Sequence, residues 1–281
     1  MDKELFRQKA NTFGLSHVAE QLYSFGRPCF RMVGSRAAVS GTIQSKIGGQ
    51  PDVSLGFGWP MWKDLPLSFI AQVNLANLKS QVDLPLPTQG LIAFFYSQDQ
   101  ETWGFDPKDR GSWAISYFPE GGELSKAPWP EGLSEFARYP EKALEPVKGF
   151  SLPDEWSRQS RSLGLTNEQG ETFAEFRDWC EGAGAPYHKL VGYPNPVQNE
   201  MELECQLVSN GIYCGDPEGY QSEEARSLQS GAEDWRLILQ VDSDEDSGMM
   251  WGDVGMIYYW MRVQDLAARN FDRSWMILQC C

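Results

Sequence analysis

Histidine is nearly absent, with only His17 and His188 in 281 residues, and the six cysteines (Cys29, Cys180, Cys205, Cys214, Cys280 and Cys281) include no CxxC pair. A zinc cage needs four such ligands at short spacings, so none is expected, and the thiols read as reduced and mostly buried. No run of eighteen apolar residues exists, which excludes a membrane-spanning helix. The opening Met1-Asp2-Lys3-Glu4 leads into no apolar h-region, so no secretory signal is expected and the chain is read as cytoplasmic. GxxxxGK[ST], GxGxxG and GxSxG are all missing, which removes the usual phosphate loops and the nucleophile elbow. Basic residues are also short, 24 against 39 acidic ones, for a net charge of −15. The imbalance is local: residues 1–150 carry net −1 and residues 151–281 carry net −14. Such a surface repels phosphate backbones and favours basic protein partners, so nucleic acid is not an expected ligand.

Apolar residues make up 41% of the chain and it holds eleven Trp, enough core material to exclude intrinsic disorder. Leu5, Phe6, Phe13, Val18 and Leu22 predict a helix over about residues 3–24, ended at Phe25-Gly26-Arg27-Pro28. Strands are predicted at Cys29–Val33, Leu67–Val73, Leu91–Tyr96 and Trp113–Phe118, the third too apolar to face water on either side. Between about 126 and 165 the prolines Pro128, Pro130, Pro140, Pro146 and Pro153 predict a connection draped over the body and pinned by aromatics. Thr166 and Gln169 form a candidate capping box for a helix over Asn167–Glu181. Further strands are expected at about Glu202–Val208, Trp235–Val241, Met256–Met261 and Ser274–Leu278, with a short helix near Gln264–Ala268.

Three pieces recur in the same order. Lys46-Ile47-Gly48-Gly49-Gln50-Pro51 answers to Lys189-Leu190-Val191-Gly192-Tyr193-Pro194. Leu67 to Asn74 answers to Trp235 to Asp242, each with a Gln in an apolar strand, and Gly90 to Tyr96 answers to Gly255 to Met261. The expected fold is therefore α+β: two related, mostly antiparallel β-rich halves produced by internal duplication, with peripheral helices. The expected division is 1–125, a connecting segment 126–165, and an acidic second half 166–281, together one compact globule.

The run Ser45-Lys46-Ile47-Gly48-Gly49-Gln50-Pro51, then Gly58-Trp59-Pro60, then Pro66 to Leu75 and Gly90 to Phe95, resembles the YwqG-like family of bacterial proteins, a domain of unknown function. His188 to Pro194 with Gln198, Leu239-Gln240-Val241-Asp242 and Met250 to Gly255 continue the likeness, which covers about residues 28–281. The resemblance implies an α+β protein with two similar β-rich halves. It implies no chemistry, so no catalytic residue is carried over.

Gln72 and Gln240 are amides inside apolar strands, and each must find partners there. One reading has each amide tying down its own glycine–proline loop. The other gathers Lys46, Gly48, Gly49, Trp59, Gln72, Lys189 and Gln240 around a polar ligand. Asp242, Asp244 and Asp246, with Asp253 eleven residues after the first, place carboxylates as a calcium loop does. The glycine falls one position late and strands flank the run, so a solvated hairpin tip is the competing expectation. His188 with a cysteine and Asp253 is the best pair available for nucleophilic catalysis. Two functions stay open: a non-enzymatic interaction module that docks a basic partner, of which an immunity-like protein is one form, and, as the alternative, a hydrolase or transferase acting on a small polar ligand between the halves.

Overall fold

Alternating or continuous apolar runs of five to eight residues, each bounded by Gly, Pro or Asx turns, leave this chain few choices but strands. The computed structural model describes residues 1–35, 43–78, 82–182 and 184–281. Two helices, α1 (Lys3–Thr12) and α2 (Ala19–Phe25), lead into β1 (Arg27–Gly34), β2 (Lys46–Ile47), β3 (Asp52–Ser54), β4 (Met61–Trp62) and β5 (Leu65–Pro66). The long strands β6 (Ser68–Asn74), β7 (Leu91–Tyr96) and β8 (Trp113–Phe118) follow, then β9 (Leu124–Lys126) and β10 (Lys142–Ser151). After α3 (Arg158–Arg161) and α4 (Asn167–Glu181) come β11 (Lys189–Leu190) and three helices, α5 (Glu202–Ser209), α6 (Pro217–Gln221) and α7 (Glu223–Leu228). The chain closes with β12 (Trp235–Asp242), β13 (Met256–Arg262), α8 (Val263–Ala267) and β14 (Trp275–Gln279).

Ten strands form one antiparallel sheet in the order β14-β13-β12-β11-β1-β10-β2-β6-β7-β8. The sheet curls until its two ends meet, a nearly closed, barrel-like form. Trp113 of β8 lies 4.8 Å from Trp275 of β14, ring centre to ring centre, and Phe94 lies 5.1 Å from Tyr259. The Trp113 indole N–H donates to the Ser274 carbonyl at 3.3 Å and the Tyr259 hydroxyl to the Phe95 carbonyl at 3.2 Å. The inner face buries Ile92, Phe94 and Tyr96, while Leu91, Ala93 and Phe95 pack outward beneath Phe57, Trp59 and Trp62. This strand is thus buried on both faces, as its continuous apolar run predicts. On the other flank α1, α2 and α4 lay Phe6, Leu22, Phe173 and Phe176 against Phe150 of β10.

The fold is mostly antiparallel sheet with helices at its periphery, and three local expectations are corrected. The N-terminal helix is two helices, because Gly14 takes φ +69° after Thr12 and turns the chain. Glu202–Val208 is helical: Cys205, Leu207 and Val208 are buried, and Glu202 and Glu204 sit in the first turn, where the helix dipole favours acids. The segment read as a draped connection holds β10, a central strand paired along its length with β1. Pro146 is tolerated there for a geometric reason. The Leu144 N–H donates across to Ser45, so two residues on a proline's missing donor faces the same side, where β2 has already ended. The capping box of α4 forms as expected, with Thr166 and Gln169 exchanging hydrogen bonds with the backbone.

Candidate functional site

Each amide in an apolar strand is saturated by its own loop. Gln72 is fully buried; its Oε1 accepts from the Asp52 N–H at 2.9 Å, and its Nε2 donates to the Gln44 carbonyl at 2.8 Å and to Asp52 Oδ2 at 2.6 Å. Gln240 Oε1 accepts from the Asn195 N–H at 2.8 Å, and its Nε2 donates to the Tyr187 carbonyl at 2.8 Å and Asn195 Oδ1 at 3.1 Å. The paired lysines are buried beside them. Lys46 Nζ reaches the Gln50 carbonyl at 2.6 Å, Glu141 at 3.1 Å and Asp52 at 3.1 Å. Lys189 Nζ reaches both oxygens of Glu181 at 2.9 Å and Asn195 Oδ1 at 2.6 Å. Gly48 and Gly49, at φ +62° and +69°, press against the backbone of Pro140 and the side chain of Glu141. These close approaches are within the chain itself. Trp59 is partly buried, its indole bonded to the Leu67 carbonyl at 2.8 Å. Strands β10 and β1 separate the two lysine–glutamine clusters, three strand spacings or about 14 Å apart. The structure therefore brings these residues together as two clusters, each closed on itself.

His188 is not joined to Asp253. Its Nδ1 accepts from the Asp242 N–H at 3.1 Å and its Nε2 lies 3.4 Å from Asp244 Oδ2. Burial pushes the imidazole down to about 4, leaving it neutral despite the opposing pull of Asp244. Asp253 is exposed, and burial raises the Cys29 thiol to about 12. The nucleophile–base–carboxylate arrangement is thus unassembled, because the histidine's hydrogen bonds are spent on the β12 strand end.

The acidic run is likewise spent locally. Asp242 accepts from the Tyr187 N–H at 2.8 Å, and Asp244 takes the Lys142 ammonium at 2.9 Å. Burial alone would raise the Asp244 carboxyl, but Lys142 and His188 hold it below the usual carboxylate range. Asp246 and Asp253 point to solvent. Among the described residues no group of three or more His, Cys, Asp and Glu could hold a metal ion, and no helix is long and apolar enough to cross a membrane.

A cleft of about 930 Å³ lies elsewhere, between the 103–105 loop, the 154–161 segment, α5, α6 and β14. Gln279, a third buried amide, builds one wall: its Oε1 accepts from the Val197 and Gln198 N–H groups, both at 3.0 Å, and its Nε2 donates to the Asn199 carbonyl at 3.0 Å. Trp103, Phe105, Trp156 and Tyr220 supply aromatic surface. Asp154, Glu155, Glu200, Glu204 and Asp216 supply carboxylates, against one lining guanidinium, Arg161. Arg177 pairs with Asp154 at 3.3 Å and Glu155 at 2.6 Å, and Asp216 caps α6 through the Glu218 and Gly219 N–H groups. Glu204 has no cationic partner among the described residues. Burial raises its carboxyl to about 7, opposed by the neighbouring Tyr220 hydroxyl. These residues are not legible in the sequence because Glu202–Val208 alternates apolar and polar positions as a strand does, which hides the helix that carries Glu204. The signal that pointed this way was the acidic excess beyond residue 151.

A family model described as "Domain of unknown function (DUF1963)" matches residues 45–280. Comparison with curated proteins finds no match. The match spans β2 through β14, the whole sheet except β1, and on that ground the chain belongs to the DUF1963 family, a domain of unknown function.

Proposed function

We propose that the protein is a binding module that receives a basic segment of a protein partner in the acidic cleft. The observation that carries this reading is the wall chemistry: five carboxylates and four aromatic side chains against one lining arginine. The net −14 of residues 151–281 adds long-range attraction for such a partner. Titration with an arginine-rich peptide at 50 and at 500 mM salt, values chosen to bracket strong and weak screening, tests it. Binding that weakens about tenfold or more at the higher salt is expected. Failure to bind, or binding indifferent to salt, overturns the reading.

A second reading, a hydrolase or transferase acting on a small polar ligand, is favoured by one observation. Glu204 is a carboxyl raised to about 7 inside a cavity, the protonation state a general acid or base uses near neutral pH. Its site is then the cleft, away from His188, Asp253 and the lysines.

We also infer that the chain is a duplicated unit with its first strands exchanged, in keeping with the YwqG-like resemblance. Read outward from the β1–β10 pair, the sheet runs β11-β12-β13-β14 on one side and β2-β6-β7-β8 on the other. Lys46 faces Gln72 and Lys189 faces Gln240, and the register shifts at Ile70 and at Ile238. Leu144 donates to Ser45 at 2.8 Å as Met32 donates to His188 at 2.9 Å, which makes β10 the counterpart of β1. Asp52 and Asn195 each fall six residues after their lysine and bond the matching Gln. On this reading both lysine–glutamine clusters are scaffold.

A further inference from the structure

We propose that Glu204 on α5, with Tyr220 of α6, is the anchor of the cleft and receives the guanidinium of an arginine side chain from the partner. This rests on the docking reading above and names the group that the cleft selects. The other lining carboxylates have prior commitments: Asp154 and Glu155 to Arg177, Glu200 to the Arg158 N–H at 3.3 Å, and Asp216 to the start of α6. Glu204 lies near the Tyr220 hydroxyl and has no cationic partner among the described residues. Glu204 is partly buried and lines a cavity that Phe105 and Tyr220 also line.

A carboxylate set among aromatic faces suits arginine better than lysine. A guanidinium is planar and weakly hydrated; it stacks on rings and bonds a carboxylate through two parallel N–H groups. An ammonium must give up a tighter hydration shell and cannot stack in that way. The groups facing Glu204 decide the proton balance. From α6 comes the Tyr220 hydroxyl and from the preceding loop the Cys214 thiol, both raised by burial, the thiol to about 12, so neither titrates near neutrality. Glu200 and Asp216 share the cavity wall, Glu202 precedes Glu204 on α5, and Arg161 is the lining cation. With its carboxyl raised to about 7, Glu204 is about half protonated at neutral pH, and a bound cation favours the charged form. Arginine binding then displaces a proton from the Glu204 carboxyl to solvent.

The test is isothermal titration of the full chain with an acetylated Gly/Arg peptide at pH 7, in two buffers of different ionisation enthalpy. Matched peptides carry lysine or neutral citrulline in place of arginine. Release of roughly half a proton per arginine peptide is expected, with at least about tenfold weaker binding of the lysine peptide and none of the citrulline peptide. Glu204→Gln, which copies the protonated acid and so preserves the fold, should abolish the proton release and weaken arginine binding at least about tenfold. Equal affinity of wild type and Glu204→Gln without proton release overturns the anchor and leaves the docking reading standing. Equal binding of the lysine peptide overturns the choice of arginine, and failure of every basic peptide overturns both readings.

Discussion

At the scale of single residues, Gln72, Gln240 and His188 are buried polar groups bound to nearby backbone. Replacing Gln72 or Gln240 with Ala removes the bonds that each amide makes to one backbone N–H and one carbonyl of a half-buried loop. Each change should cost about 3 kcal/mol, read as a lower denaturation midpoint at unchanged slope. Comparable losses are expected from both, because the two amides make the same set of bonds. His188 gives a pH signature. Folding holds its pKa at about 4 against an ordinary 6.5, so between those values the unfolded chain binds the proton and the folded one does not. Stability should therefore fall by up to about 3 kcal/mol as the pH drops from 6.5 to 4. His188→Asn, which retains an acceptor for the Asp242 N–H, should flatten that part of the stability curve. Both glutamines and the histidine could be picked out in the sequence as polar residues in apolar or loop settings. Their partners could not, since Asp52 lies 20 residues from Gln72 and Asp244 lies 56 from His188.

At the scale of elements, turns and long strands were legible and short or interrupted ones were not. Leu91–Tyr96 and Trp113–Phe118 stand where their apolar runs place them, and Thr166 and Gln169 mark the start of α4. Over eight residues, Glu202–Ser209 offers helical and strand periodicities about equally, and the contacts of α5 with its neighbours decide. The prolines around β10 argued against a strand, yet only the side on which β2 ends makes Pro146 harmless. The Gly48 turn is a sharp element-level test. A Cβ there would lie 2.1 Å from the Pro140 carbonyl oxygen at φ +62°. Gly48→Ala should cost at least about 2 kcal/mol, whereas Gly58→Ala, with nothing within 4 Å, should change stability by less than about 0.5 kcal/mol. Chemical denaturation of the pair of variants checks both figures.

At the scale of the whole molecule, interleaving governs behaviour. Strand β1 lies between β10 and β11, and β10 lies between β1 and β2, so the first and second parts of the chain share the centre of one sheet. Neither part can leave without tearing the other's central strand. A single thermal transition is expected, with calorimetric and van't Hoff enthalpies equal; two resolved transitions would refute this. The amino-acid sequence by itself determined the strand-forming runs, the glycine turns, the capping box and the acidic bias after residue 151, because periodicity, positive φ and charge are properties of neighbours along the chain. The pairing of β1 with β10 at the centre of the sheet, the saturation of Gln72 and Gln240, and the cleft that leaves Glu204 without a cation among the described residues were decided by tertiary structure alone. Those depend on which residues meet across long stretches of chain, and burial, which shifts a carboxyl's proton affinity, exists only once they have met.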